Sequence, residues 1–146
     1  MPARAAKRPS AASMLARRLA LLALFEAEFR PGSAGDALAR LADEREVPDA
    51  VRAHALRIVD GVAEHRDALD ARIAVEAPLI PVAELGRVER TILRSAIYEV
   101  LYSAATPSGE TMRDAVSLAR IYAGDAARRL VNGVLGSVSR SSGGGA

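Results

Sequence analysis

The stretch Leu85–Tyr102, LGRVERTILRSAIYEVLY, decides the fold. At about 100° per residue, Leu85, Val88, Ile92, Leu93, Ala96, Ile97 and Val100 fall on one broad arc of a helix. Arg87, Arg90, Arg94 and Tyr98 fall on the opposite side. An apolar arc this wide exceeds what an ordinary surface helix needs, so the helix is expected to pack on several partners at once. Two acids break the pattern: Glu89 projects into the middle of the arc and Glu99 sits at its edge. A carboxylate in such a place must be paired, hydrogen-bonded or functional, because desolvating it alone costs too much. For Glu89 two readings stand side by side: a first-turn acid favoured by the helix dipole, and a residue that meets a partner.

Outward from this helix, residues 76–84, EAPLIPVAE, hold two prolines and form the clearest boundary in the chain. They read as a short connector whose Leu79, Ile80 and Val82 are expected to be buried. Upstream, a helix is predicted from about Ser13 to Phe29, with Leu15, Leu19, Leu22 and Phe29 on one stripe. A short helix follows at about Gly35–Glu46, and a long one runs from Pro48 to about Val75. Gly61, in the middle of the long one, is expected to mark a close helix crossing, since a mid-helix glycine costs about 1 kcal/mol against alanine. Downstream, ATPSGE (105–110) is a turn, and Thr111-x-x-Asp114 fits a capping box, with a helix start nearer Pro107 as the alternative. Gly124 stops that helix and Asp125 caps the last one. In the last helix Leu130, Val131, Val134, Leu135 and Val138 face inward. Gly133 is expected to permit close backbone approach and Asn132 to hydrogen-bond a neighbouring segment or a ligand.

Strand signals are nearly absent, and the apolar half of the 146 residues is mostly Ala, Leu and Val. The expected fold is all-α, a compact bundle of about six or seven helices. Residues 1–12 read as a basic disordered tail and 13–139 as one domain of two small subdomains, about 13–75 and 83–139. Residues 140–146 read as a second disordered tail. There is no cysteine, which excludes disulfides and thiolate metal sites. The two histidines, His54 and His65, lie about three turns apart on the predicted long helix, too far to share a metal, and read as solvated. No nucleophile elbow, metal motif or phosphate loop is present, so neither an enzyme nor a cofactor is expected. LALLALF (19–25) follows positive charges as a signal sequence would. The run ends at Glu26 with no cleavage site, however, and a core helix explains it better. No stretch is long enough to cross a membrane, and the cytoplasm is the expected location.

The net charge is only +2, but it is unevenly distributed. Arg4, Lys7, Arg8, Arg17 and Arg18 all precede the first acid, Glu26, leaving fifteen basic against eighteen acidic side chains in the rest. A basic arm on a slightly acidic body points to a polyanion, and arginine suits phosphate recognition. Arg120, Arg128, Arg129 and Arg140 form a second basic group, and Tyr122 next to it has two readings: a core residue in the stripe Met112, Ala115, Val116, Ala119 and Tyr122 among ordinary surface arginines, or a ring on which a single-stranded base could stack.

Three motifs in order resemble the NusB family of transcription antitermination factors. They are Leu85-Gly-x-Val-Glu-Arg-x-Ile-Leu-Arg-x-Ala-x-Tyr-Glu-Val100, Asp114-Ala-Val-x-Leu-Ala-Arg120 and Leu130-Val-Asn-Gly-Val-Leu135, with a weaker match from Arg17 to Phe25. The resemblance implies an all-helical, non-enzymatic factor that binds the single-stranded boxA element of nascent RNA together with NusE, a small-subunit ribosomal protein. It further implies that the complex joins the RNA polymerase elongation complex and suppresses termination on ribosomal RNA operons. By position it implies RNA contacts by Lys7, Arg8, Arg17, Arg18, Tyr122, Arg129 and Asn132, and a NusE-facing surface at Glu89 and Arg90. Three departures stand out. Ser13, Met14 and Leu15 replace an arginine run, Met112-Arg113-Asp114 replaces Ile-Asn-Glu, and Leu130 replaces an aromatic residue. A protein-only interaction module or homodimer, and a NusB-like domain related to ribosomal RNA cytosine methyltransferases, are the alternatives. The broad apolar face serves a core or a dimer equally well.

Overall fold

A computed structural model of the chain describes residues 11–103 and 108–143. It contains seven α-helices: α1 Ala11–Ala27, α2 Ala34–Glu44, α3 Asp49–Glu64, α4 Arg66–Glu76, α5 Arg87–Tyr102, α6 Ser108–Ala123 and α7 Asp125–Gly143. A 3-10 turn, Val82–Glu84, precedes α5, and the described residues include no strand. The all-α expectation holds.

The helix within Leu85–Tyr102 is the hub: α5 packs on α1, α3, α4, α6 and α7. Its Leu93 and Ile97 are fully buried and join Leu19, Ile58, Leu69, Ile73, Val131 and Leu135 in one contiguous core drawn from both halves of the chain. Each such side chain contributes about 1.5–3 kcal/mol by leaving water. The side of α5 expected to be polar is covered as well. Arg94 is buried and donates two hydrogen bonds to Asp70 of α4, at 2.7 and 2.9 Å. Tyr98 is half-buried where α3 crosses. A Cβ on Gly61 would lie 2.2 Å from the Tyr98 ring, so this glycine does mark a close crossing.

Three further expectations are corrected. The long helix is two helices, broken at His65 with φ −109° and ψ 17°. The hydrogen bonds from His65 to the Gly61 carbonyl and from Leu69 to the His65 carbonyl persist, so the break is a bend. His65 is not simply solvated there: its imidazole stacks on Tyr102 with ring centroids 4.0 Å apart. The connector does not bury Leu79, which is 95% exposed, or Ile80, which is 39% exposed; of the three residues expected inside, only Val82 packs against the core. The C-terminal tail is not all irregular, because α7 continues to Gly143. Ser137 and Ser141 there donate to the Glu76 carboxylate, at 2.6 and 3.1 Å, which ties α7 to the end of α4.

Candidate nucleic-acid interface

The arginine that the sequence placed on the RNA is instead at the centre of a buried ionic cluster. Arg17 is 5% exposed. Its Nε and Nη2 donate to the two carboxylate oxygens of Glu99 on α5, at 2.9 and 3.3 Å. Nη1 donates to Asp114 and Nη2 also to Thr111 Oγ1 at 3.2 Å, both on α6, while Glu110 lies 3.6 Å away. His54 of α3 completes the cluster through a 3.0 Å hydrogen bond to Glu99. Burial by itself would raise the Glu99 pKa. The hydrogen bonds from His54 and Arg17, with the charge of Arg17, outweigh that and hold it below the usual glutamate range. Burial likewise works against the Arg17 charge, and Glu99 and Asp114 overcome it, so its pKa lies above the ordinary arginine value. The expectation that Arg17 touches RNA is therefore corrected: its five donors face inward and bind α1 to α5 and α6. Thr111 and Asp114 serve Arg17 rather than a capping box, and His54 is a cluster member rather than a solvated histidine.

Of the other proposed RNA contacts, Lys7 and Arg8 lie outside the described residues, as does most of the turn before α6. Arg18 is half-buried, and its Nε is enclosed with no hydrogen-bond acceptor among the described residues. The three C-terminal candidates lie to either side of the α6–α7 turn, and all three are exposed. Gly124, with φ +93°, reverses the chain between the two helices, the left-handed conformation that a glycine adopts without steric cost. Tyr122 sits just before this turn, 40% exposed. Arg129 and Asn132 lie on the first turns of α7, both exposed. Asp125, which opens α7, accepts hydrogen bonds from Arg128 at 2.8 Å and from Arg129. Hydrogen bonding from Arg128 is the largest effect on Asp125 and, with the nearby charges of Arg129 and Arg120, depresses its pKa. Gly133 does not serve close packing inside the protein, since a Cβ there would meet nothing within 4 Å among the described residues. Asn132 likewise has no hydrogen bond within the described residues, so both point outward, where a ligand can reach them.

The two residues assigned to a protein partner differ in their freedom. Arg90 donates to Glu28 at 3.0 Å and to the Val82 and Ala83 carbonyls at 3.4 Å. It therefore clamps the connector onto α5 and the end of α1, and stays partly exposed. Glu89 is half-buried in the first turn of α5, its carboxylate folded back over Gly86. Next to this region Arg87 stacks on the exposed Phe29 ring, 4.5 Å from its centroid, an aromatic feature that the sequence reading assigned to a core stripe. Among the described residues no cluster of His, Cys, Asp or Glu could hold a metal ion, and no helix is long and apolar enough to cross a membrane.

Fold and surface together define a class: an all-helical bundle, pinned by buried arginines, that presents cations, an amide and a ring at one end of a helical hairpin. The chain belongs to the NusB family, whose model matches residues 14–140. It is 33% identical to the transcription antitermination protein NusB of Dehalococcoides mccartyi over 126 residues, 86% of this chain and 88% of that protein. It is 37% identical to the NusB of Roseiflexus sp. strain RS-1 over 84% of this chain and 87% of that protein. Among solved structures it resembles a chain from the crystal structure of the antitermination factors NusB and NusE in complex with double-stranded RNA. The TM-score is 0.81 at 26% identity, covering 89% of this chain and 97% of that one.

Proposed function

We propose that this protein is a transcription antitermination factor that binds RNA together with NusE and acts as a scaffold with no chemistry of its own. The observation that carries the proposal is the outward-facing group Tyr122, Arg129, Asn132 and Gly133 on a chain of this family. A ring for stacking, a guanidinium for phosphate and an amide for a base edge form a combination suited to single-stranded RNA. The RNA is a boxA-type strand of a nascent ribosomal transcript, gripped at one end by Lys7, Arg8 and Arg18 and at the other by the α6–α7 junction. Glu89, with Phe29 and Arg87 beside it, belongs to the side that meets NusE. The assembled complex joins the RNA polymerase elongation complex in the cytoplasm.

An anisotropy titration of labelled boxA RNA against a scrambled strand, with and without purified NusE, tests this. Preference for boxA that strengthens with NusE is expected. With four phosphates held by Lys7, Arg8, Arg18 and Arg129, log affinity should fall against log salt with a slope of about −2.8. Equal binding of both strands, unmoved by NusE, defeats the proposal.

A further inference from the structure

The helix α6 separates its charges by face. Its two acids, Glu110 and Asp114, lie on the side of Arg17, which binds Asp114 directly and sits 3.6 Å from Glu110. Its two bases, Arg113 and Arg120, are both exposed. At about 100° per residue they project within about 20° of each other on the solvent face, about 10 Å apart along the axis. Between and beside them that face holds only Gly109, Val116 and Ser117, all uncharged. Neither arginine forms an ion pair among the described residues, and residues 1–10, 104–107 and 144–146 contain no Asp or Glu that could supply one.

The stripe also has defined ends. At the N-terminal end, Arg17 joins α1 to Glu110 and Thr111, and Arg18 follows it on α1. At the C-terminal end, the Arg120 carbonyl accepts the N–H of Gly124 at 3.1 Å, so Arg120 sits in the last turn before the bend into Asp125 and α7. A helix of 16 residues spans about 24 Å, too far for either end group to reach the other, and Arg113 and Arg120 divide that gap.

We propose that Arg113 and Arg120 form a phosphate track along the outer face of α6. The track carries the RNA backbone from the end of α6 that is tied to α1 toward the Tyr122–Arg129–Asn132 group. This rests on the RNA-binding reading above and extends it to two residues outside that site. A strand laid along α6 meets guanidiniums and no carboxylate, because the buried Arg17 holds both acids of the helix on its inner side.

The test measures boxA RNA affinity as a function of salt for the full chain and for Arg113→Gln, Arg120→Gln and the double variant. Arg57→Gln serves as the control: Arg57 is exposed on α3, whose packing partners are α1, α2, α4 and α5. Two phosphate contacts beyond the four above steepen the parent's slope from about −2.8 to about −4.2, and the double variant returns it to about −2.8. Its affinity should fall on the order of tenfold, with each single change giving part of that loss. Arg57→Gln should leave affinity and slope unchanged, and all variants should keep the parent's thermal midpoint, as exposed substitutions do. If the parent binds RNA and the double variant matches it in affinity and slope, the track is wrong and the RNA-binding reading stands. An equal loss from Arg57→Gln also overturns the track, since it reduces the effect to net charge. If the parent does not bind, both readings fall.

Discussion

Two groups of arginines in this protein look alike in sequence and do opposite work. Arg17 sits in a run of bases ahead of the first acid, and Arg128 and Arg129 sit in a second run; both suggest phosphate binding. In the folded chain Arg17 is enclosed by Glu99, Asp114 and Thr111, while Arg129 is 64% exposed and held only by Asp125 at the surface. The difference is dielectric. A guanidinium taken out of water must be matched by carboxylates and hydrogen bonds on nearly every donor, and its loss leaves those carboxylates buried and unpaired. A guanidinium at the surface is solvated whether or not its partner is present, and remains free to exchange that partner for a phosphate.

The largest effect should come from the interior member of the pair. Arg17→Gln leaves Glu99 and Asp114 without their common counter-charge and should cost about 3–5 kcal/mol, read by urea unfolding. A variant of parental stability that had lost only RNA affinity would restore Arg17 to the RNA surface and break the contrast.

The same cluster predicts an acid limit. The Glu99 pKa is held below its ordinary value in the folded state, so its contribution is fully present above the unfolded-state pKa and is lost as pH falls through the lower, folded value. The thermal midpoint of the parent should therefore drop on acidification below the usual glutamate range, and that part of the drop should vanish in Glu99→Gln.

Two helical glycines repeat the contrast between inside and outside at a smaller scale. Gly61→Ala improves helix propensity but drives a Cβ into the Tyr98 ring, and should cost about 1–3 kcal/mol by overpacking. Gly133→Ala meets open space and should stabilise by about 0.5–1 kcal/mol. If Gly133 is kept for a ligand's close approach, the same change should weaken RNA binding while the melt improves. A gain in stability with unchanged RNA affinity would remove Gly133 from the interface.

The smallest change in stability belongs to the exposed group. Asp125→Asn releases Arg128 and Arg129 without touching the core, so the melting curve should barely move. RNA affinity should rise at low salt, and the gain should fade as salt screens it. Unchanged affinity at low salt would mean that these guanidiniums do not meet phosphate.

Much of the architecture was legible from the pattern of side chains. The broad arc of Leu85–Tyr102 identified the central helix, Gly61 the close crossing and Gly124 the final turn, because each follows from local geometry and the cost of exposing apolar surface or straining backbone. The break at His65 was not legible, since no proline or glycine marks it. It arises where α4 turns along α5 and the imidazole meets the Tyr102 ring. Nor was the exposure of Leu79, which follows from what the connector leaves uncovered.

The candidate interface divides along the same line. The sequence by itself determined an all-helical chain with a basic front end, a second basic group near Tyr122, and the motifs of its family. Which arginines are free was decided only by the tertiary structure. Charge is a property of a residue, but its availability depends on which carboxylates, 82 and 97 positions away for Arg17, the fold brings within hydrogen-bond reach. No window of local sequence contains that pairing, and it is the pairing that turns one arginine into a strut and leaves another to meet a ligand.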